Sequence, residues 1–203
     1  MARGFNSKEK QAIRLSLIEY GRELFSKLGF QKTSILDITK NVGIAQGTFY
    51  KFFSSKEELY FVILEMEEQK LREQFMVTDI FKEKDPKQSI KNMLQQMIQM
   101  IEKNALIREL FIGSTMEHIV YKLPSELLEK HYQNDSLAML SLLEKFKKEG
   151  FAIEKEPEII ASMLRSIFLL TLHKKEIGEH VFEKTMEAFI DLIIDDLIRE
   201  EEK

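Results

Sequence analysis

Apolar positions recur at helical spacing along almost the whole chain. Ile13, Leu17, Ile18, Leu24, Phe25 and Leu28 form one stripe, the signature of an amphipathic helix with one buried face. Asn6 or Ser7 suits its cap, with Glu9 in the first turn. Gly29 stops it by supplying a left-handed residue, and Phe30 folds back on the stripe. A second, short helix opens at Ser34, where Ser34 and Asp37 make an S-x-x-D cap and Ile35, Ile38 and Val42 face inward. Gly43 turns the chain and Ile44 plugs the corner. A third helix is predicted from about Gln46 through Phe53. Ser55 and Glu58 form a capping box that starts a fourth helix, continued by Leu59, Val62, Ile63, Met66, Leu71 and Phe75.

The pattern breaks between Asp79 and Pro86, where Asp85-Pro86 gives a cap followed by proline at the first helical position. Further helices are predicted over 90–101, 106–121, 124–148, 157–173 and 180–200. No strand alternation persists, and Phe151-Ala152-Ile153 is expected as a loop. The fold class is therefore all-α, with a three-helix helix-turn-helix unit at the N-terminus. The boundary is expected at 1–55 for that domain and 56–203 for the rest. No apolar run approaches the roughly 20 residues of a membrane helix, and residues 1–8 lack the apolar core of a secretory signal. The absence of cysteine fits a cytoplasmic location.

Charge changes the picture. Net charge is −4 overall, yet residues 1–55 hold nine Lys and Arg against four acids, a net of +5 that leaves −9 for the remainder. A basic head suits phosphates. A recognition helix must bring its first residues to base edges in the major groove. Gln46 has the donor and acceptor to read adenine. Gly47 lets backbone approach the duplex, Thr48 offers a hydroxyl and a methyl, and Tyr50 and Lys51 face outward toward phosphate. Phe49 is expected to pack inward, with Phe52 and Phe53 divided between core and surface. Thr33 and Ser34 stand at the start of the second helix, where free N–H groups favour a phosphate. Lys56 starts the fourth helix in the same sense. Arg3, Lys8 and Lys10 are candidates for an N-terminal arm. His118, His131, His173 and His180 show no metal-ligand spacing. Phosphate loops and nucleophile elbows are also missing, so no enzyme, metal or cofactor is expected.

Three stretches carry a resemblance: L-F-S-K-L-G-F-Q-K-T-S-I-L-D-I (24–38), V-G-I-A-Q-G-T-F-Y-K-F-F (42–53) and S-K-E-E-L (55–59). In order and spacing, residues from about 10 to 60 resemble the DNA-binding domain of the TetR family of bacterial transcriptional regulators. Ala45 departs from the serine usual at that cap, and Val42 from a small residue. The resemblance implies a C-terminal helical domain for ligand binding and dimerisation, a homodimer on a palindromic double-stranded operator, and a small-molecule effector. It also implies that Lys56 contacts the DNA backbone and that the protein is a repressor.

Two-stripe helices suit a dimer surface. In the last helix Met186, Phe189, Ile190, Ile193 and Leu197 make one stripe, and Leu192, Ile194 and Ile198 a second. The 157–173 helix has Ile159, Ile160, Met163, Leu164, Ile167 and Phe168. The methionine-rich body suggests a deformable pocket for an apolar or amphipathic effector. Its candidate residues are Met93, Met97, Asn104, Phe111, Met116, His118, Tyr121, Met139, Phe168 and His173. The alternatives are an architectural DNA-binding protein without a sensor, and a helical carrier of apolar molecules with a vestigial head.

Overall fold

The computed structural model describes residues 5–77, 85–109, 115–148 and 155–198. Of the expectations above, Arg3, Phe111 and the 151–153 loop lie outside the described residues, as do the Phe75 and Phe168 side chains. The described residues form helices without strands: α1 (Ser7–Leu28), α2 (Ile35–Val42), α3 (Gln46–Phe49), α4 (Lys56–Val77), α5 (Pro86–Lys103), α6 (Ala105–Glu109), α7 (Thr115–Lys122), α8 (Ser125–Lys148), α9 (Pro157–Leu172), α10 (Lys174–Ile177) and α11 (Phe182–Leu197). None of these helices is long and apolar enough to cross a membrane.

The chain divides into two compact units. One comprises Met1–Arg72 and Lys103–Pro124, the other Glu73–Glu102 and Ser125–Lys203. In the first unit α1 packs on α2 and α6, and α2 on α3. Its core is built from Leu17, Phe25, Phe30, Ile38, Phe49, Phe53, Leu59, Tyr60 and Ile63, all buried. Tyr60 meets Phe25 and Phe30 edge-on, with ring centroids at 4.8 and 5.0 Å, the arrangement that the ring quadrupole favours. Its hydroxyl donates to the Leu106 carbonyl at 2.7 Å, tying α4 to α6. Burial, then the charge of Glu109, pushes the Tyr60 hydroxyl far above the ordinary tyrosine range. Gly21 is buried where α1 meets α4: a Cβ there would lie 3.1 Å from both Ile63 and Leu59.

In the second unit α8 and α11 pack on α9. Met93, Leu94, Met139, Phe146, Ile160, Ile167, Met186, Ile190 and Ile194 share one core with their neighbours. Ion pairs seal its edge: Lys87 with Asp195 at 2.8 Å, and Lys91 with Asp191 at 2.8 Å and Glu187 at 3.2 Å. The two stripes of α11 divide differently from the sequence expectation. Met186, Ile190, Ile194 and Leu197 are inside with Ile198, while Phe189 and Leu192 are exposed. Steps of four, four and three residues keep the inner set on one side of a helix with 3.6 residues per turn. The short helix α10, ended by Gly178 at φ 109°, was not foreseen.

Candidate nucleic-acid interface

The helices α1, α2 and α4 are each started by short polar contacts. The Asn6 side chain accepts from the Glu9 N–H at 2.9 Å and the Glu9 carboxylate accepts from the Asn6 N–H at 2.8 Å, a full capping box on α1. Ser34 and Asp37 make the same reciprocal pair on α2. The Ser34 hydroxyl and then the Ser34 N–H outweigh the burial effect and, with a lesser contribution from the Lys40 charge, hold the Asp37 carboxyl below its ordinary value. On α4 the Ser55 hydroxyl accepts from the Glu58 N–H at 3.0 Å. The Glu58 carboxylate reaches one residue further than the pattern S-x-x-E predicts, to the N–H and hydroxyl of Ser54.

Between α2 and α3, Gly43 adopts a left-handed conformation, φ 78° and ψ 30°. Ile44 N–H then bonds back to the Thr39 carbonyl at 3.0 Å. The chain enters α3 through Ala45, in extended conformation and without a side-chain cap. Regular α-helix ends at Phe49. Phe52 N–H to Phe49 O at 2.9 Å and Lys51 N–H to Thr48 O at 3.1 Å continue it as a tighter turn toward Phe53. This is shorter than the predicted 46–53 helix but runs along the same path.

The α3 segment is sharply two-sided. Phe49 and Phe53 are buried, 5.8 Å apart, with the Arg14 guanidinium 4.6 Å from the Phe53 centroid. Phe52 is half-buried. Gln46, Gly47, Tyr50 and Lys51 are exposed and Thr48 is half-buried. Tyr50, 56% exposed, meets the buried Phe49 edge-on at 5.5 Å, which fixes its ring while leaving its hydroxyl outside. Open space surrounds the Cβ position of Gly47. The face offers an amide, a hydroxyl, a phenol and an ammonium on a rigid aromatic base.

Thr33 and Lys56 are placed otherwise than a surface phosphate contact suggests. The Thr33 side chain is buried and its hydroxyl donates to the Gly29 carbonyl at 2.8 Å. Lys56 is half-buried, and its ammonium donates to the carbonyls of Phe30 at 2.8 Å and Thr33 at 2.9 Å. Burial holds its pKa below the ordinary lysine value, against the opposing charge of Glu57. Sequence reasoning missed these bonds. They join residues 23 and 26 positions apart, and no local pattern encodes that reach.

The ligand candidates scatter. Asn104 caps α6, accepting from the N–H groups of Leu106 and Ile107, and donates to Glu67 at 3.2 Å. It also lines a cleft of about 440 Å³ with Glu19, Arg22, Glu23, Ser26, Glu67, Lys103, Ala105 and Leu106. Charged and polar residues make up most of its lining, and among the described residues none of the other candidates lines it. Met116 is half-buried, Tyr121 is 86% exposed, and His118 bonds through Nε2 to Glu57 Oε1 at 2.8 Å. In the second unit Met93 and Met139 are buried core residues with Met97 packed against them. His173 is exposed at the end of α9.

Fold and surface together define a helix-turn-helix head with an exposed polar face on its third helix. Residues 17–63 match the family model for bacterial regulatory proteins of the tetR family. A curated relative, the uncharacterized HTH-type transcriptional regulator YvdT of Bacillus subtilis (strain 168), is 47% identical over 49 residues. That alignment covers 24% of this chain and 25% of YvdT, so the chain spans about a quarter of the length of the curated relative it matches. Over nearly the full length, the fold is similar to that of a TetR-family transcriptional regulator from Pectobacterium atrosepticum, with TM-score 0.67 and 16% identity, covering 97% of this chain and 99% of that one. It is also similar to RolR in complex with resorcinol, with TM-score 0.62 and 18% identity, covering 96% and 99% of the two chains. Residues 17–63 thus resemble the tetR family in sequence, and the whole chain resembles TetR-family regulators in fold.

Proposed function

We propose that the protein is a cytoplasmic, dimeric transcriptional repressor that binds a palindromic DNA operator and leaves it when a small apolar or amphipathic molecule binds. The observation that carries this reading is the exposed α3 face on its buried Phe49–Phe53 base, in a head of net charge +5. In this reading residues 1–55 bind DNA and 56–203 regulate and dimerise. Gln46, Gly47 and Thr48 meet base edges, Tyr50 and Lys51 meet phosphates, and Thr33, Ser34 and Lys56 serve the backbone contact at the start of α2. A single head covers little DNA, and two on a two-fold axis match two half-sites. The exposed apolar residues Ile159 on α9 and Phe189 and Leu192 on α11 support a dimer face there. RolR is a relative in fold that holds resorcinol, which supports an effector site in the body, with Met93, Met97, Met116, Tyr121, Met139 and His173 still candidates beside Phe111 and Phe168. Effector and operator must weaken each other by the same factor.

Selection of bound duplexes from random DNA tests the reading. A palindromic product bound more weakly as salt rises is the expected result. Equal binding to selected and scrambled duplexes would favour an architectural role and count against a repressor.

A further inference from the structure

Lys56 opens α4, but its ammonium is turned into the protein. Two of its three N–H donors are taken by the carbonyls of Phe30 and Thr33, at 2.8 and 2.9 Å. The nitrogen also lies 4.1 Å from the centroid of the Phe30 ring, within cation–π range. Phe30 and Thr33 are each 1% exposed. The segment they bound, residues 29–33, links α1 to α2. Thr33 closes it from one side through its hydroxyl bond to Gly29, where the chain has φ 82°. Lys56 closes it from the other. The next residue, Ser34, is the cap of α2. Carbonyls at 30 and 33 that face inward need a donor, and Lys56 is the donor they have.

We propose that Lys56 is a positioning residue for DNA binding: it fixes the 29–33 link and so aims the Ser34 end of α2 at a phosphate, instead of neutralising a phosphate itself. The inference rests on the DNA-binding reading above and departs from the family expectation of a direct contact. A lysine acting on DNA as a point charge is replaceable by arginine, whereas one that fits between two carbonyls and a ring is not, because a planar guanidinium has a different shape and reach. A direct contact also releases counterions, so its loss flattens the salt dependence of binding, while loss of an internal strut does not.

The test compares the full-length chain with Lys56→Met, Lys56→Arg and Lys51→Met on the selected duplex, from low to high salt, at a temperature where all are fully helical by circular dichroism. Both Lys56 variants are expected to bind about tenfold more weakly, the scale of a lost hydrogen bond to a charged group, with the wild-type salt slope. Lys51→Met should lower the slope by about 0.9 per head. Wild-type affinity in Lys56→Arg, or a slope lowered by about 0.9 per head in Lys56→Met, overturns the proposal. Amide exchange on the free chain gives a reading independent of DNA. The N–H groups of Asp37 and Ile38, which bond to the Ser34 hydroxyl and carbonyl, should exchange faster in both Lys56 variants and unchanged in Lys51→Met. Unchanged exchange in the Lys56 variants also overturns it. If the wild-type chain selects no duplex, the regulator reading fails and takes the DNA role of Lys56 with it, while the exchange data still decide whether Lys56 holds α2.

Discussion

Two glycines in the head separate folding from reading. Gly43 has a positive φ of 78° and open space around its Cβ position. Gly43→Ala therefore meets no clash and should lose only the left-handed backbone preference, about 1–2 kcal/mol, measurable by urea titration. Gly47 also has open space, with no positive φ, inside α3. Gly47→Ala should leave stability unchanged or raise it by up to about 1 kcal/mol. The same methyl stands on the exposed face, so DNA affinity should fall about tenfold if backbone there approaches the duplex, as in close-packed recognition helices. Unchanged affinity would remove Gly47 from the reading face. Ala45 poses the complementary question. It enters α3 with extended backbone and no side-chain cap, so Ala45→Ser should add about 1 kcal/mol. These positions were legible because each obeys a local rule: a turn needs glycine, a helix start needs an oxygen. Lys56 was not, because its partners are remote in sequence and close only in the fold.

Between elements, buried and half-buried polar bonds join helices that the periodicity names but cannot pair. The Tyr60 hydroxyl joins α4 to α6 through the Leu106 carbonyl. Tyr60→Phe keeps the rings and strands that carbonyl, for an expected loss of about 1–3 kcal/mol in urea titration. Glu57 joins α4 to His118 of α7. Burial pushes the Glu57 carboxyl up, but its own N–H, the His118 hydrogen bond and charge, and the Ser55 hydroxyl outweigh this and hold it below the ordinary glutamate value. A carboxyl depressed by folding stabilises the fold above its unfolded value and loses that contribution as pH falls through the folded one. Wild type should therefore exceed Glu57→Gln by about 1 kcal/mol or less near neutrality, since the His118 side is exposed. The gap should close as pH falls through the acidic range in which the Glu57 carboxyl protonates. A gap independent of pH would assign the loss to packing instead. The helix starts and the inward side of α3 were legible from caps and spacing. The pairing of α4 with α6 and α7 was not, because one aromatic hydroxyl and one carboxylate among many carry it.

At the scale of the molecule, the chain sets nine of its Lys and Arg against four acids in residues 1–55 and leaves −9 elsewhere. In the proposed function such a division directs the head to DNA and keeps the acidic body off it. Operator binding by the proposed repressor depends on joining two heads, because a second tethered contact raises affinity by about 10² to 10⁴ without any new interaction. In the proposed dimer, the face is expected where apolar side chains remain outside a finished core. On α11 Phe189 and Leu192 do so while Met186, Ile190 and Ile194 fill the inside. Leu192 is 66% exposed, so Leu192→Glu should leave the core intact and place two like charges across a two-fold interface. The expected outcome is a shift to monomer in sedimentation at micromolar concentration, with operator affinity falling by about 100-fold or more as the second head is lost. The helix α8 offers a competing face, Leu137 and Leu140, also exposed. Leu137→Glu serves as the counter-test: if it yields the monomer and Leu192→Glu remains dimeric, the two-fold axis passes by α8, and the exposed face of α11 needs a different partner.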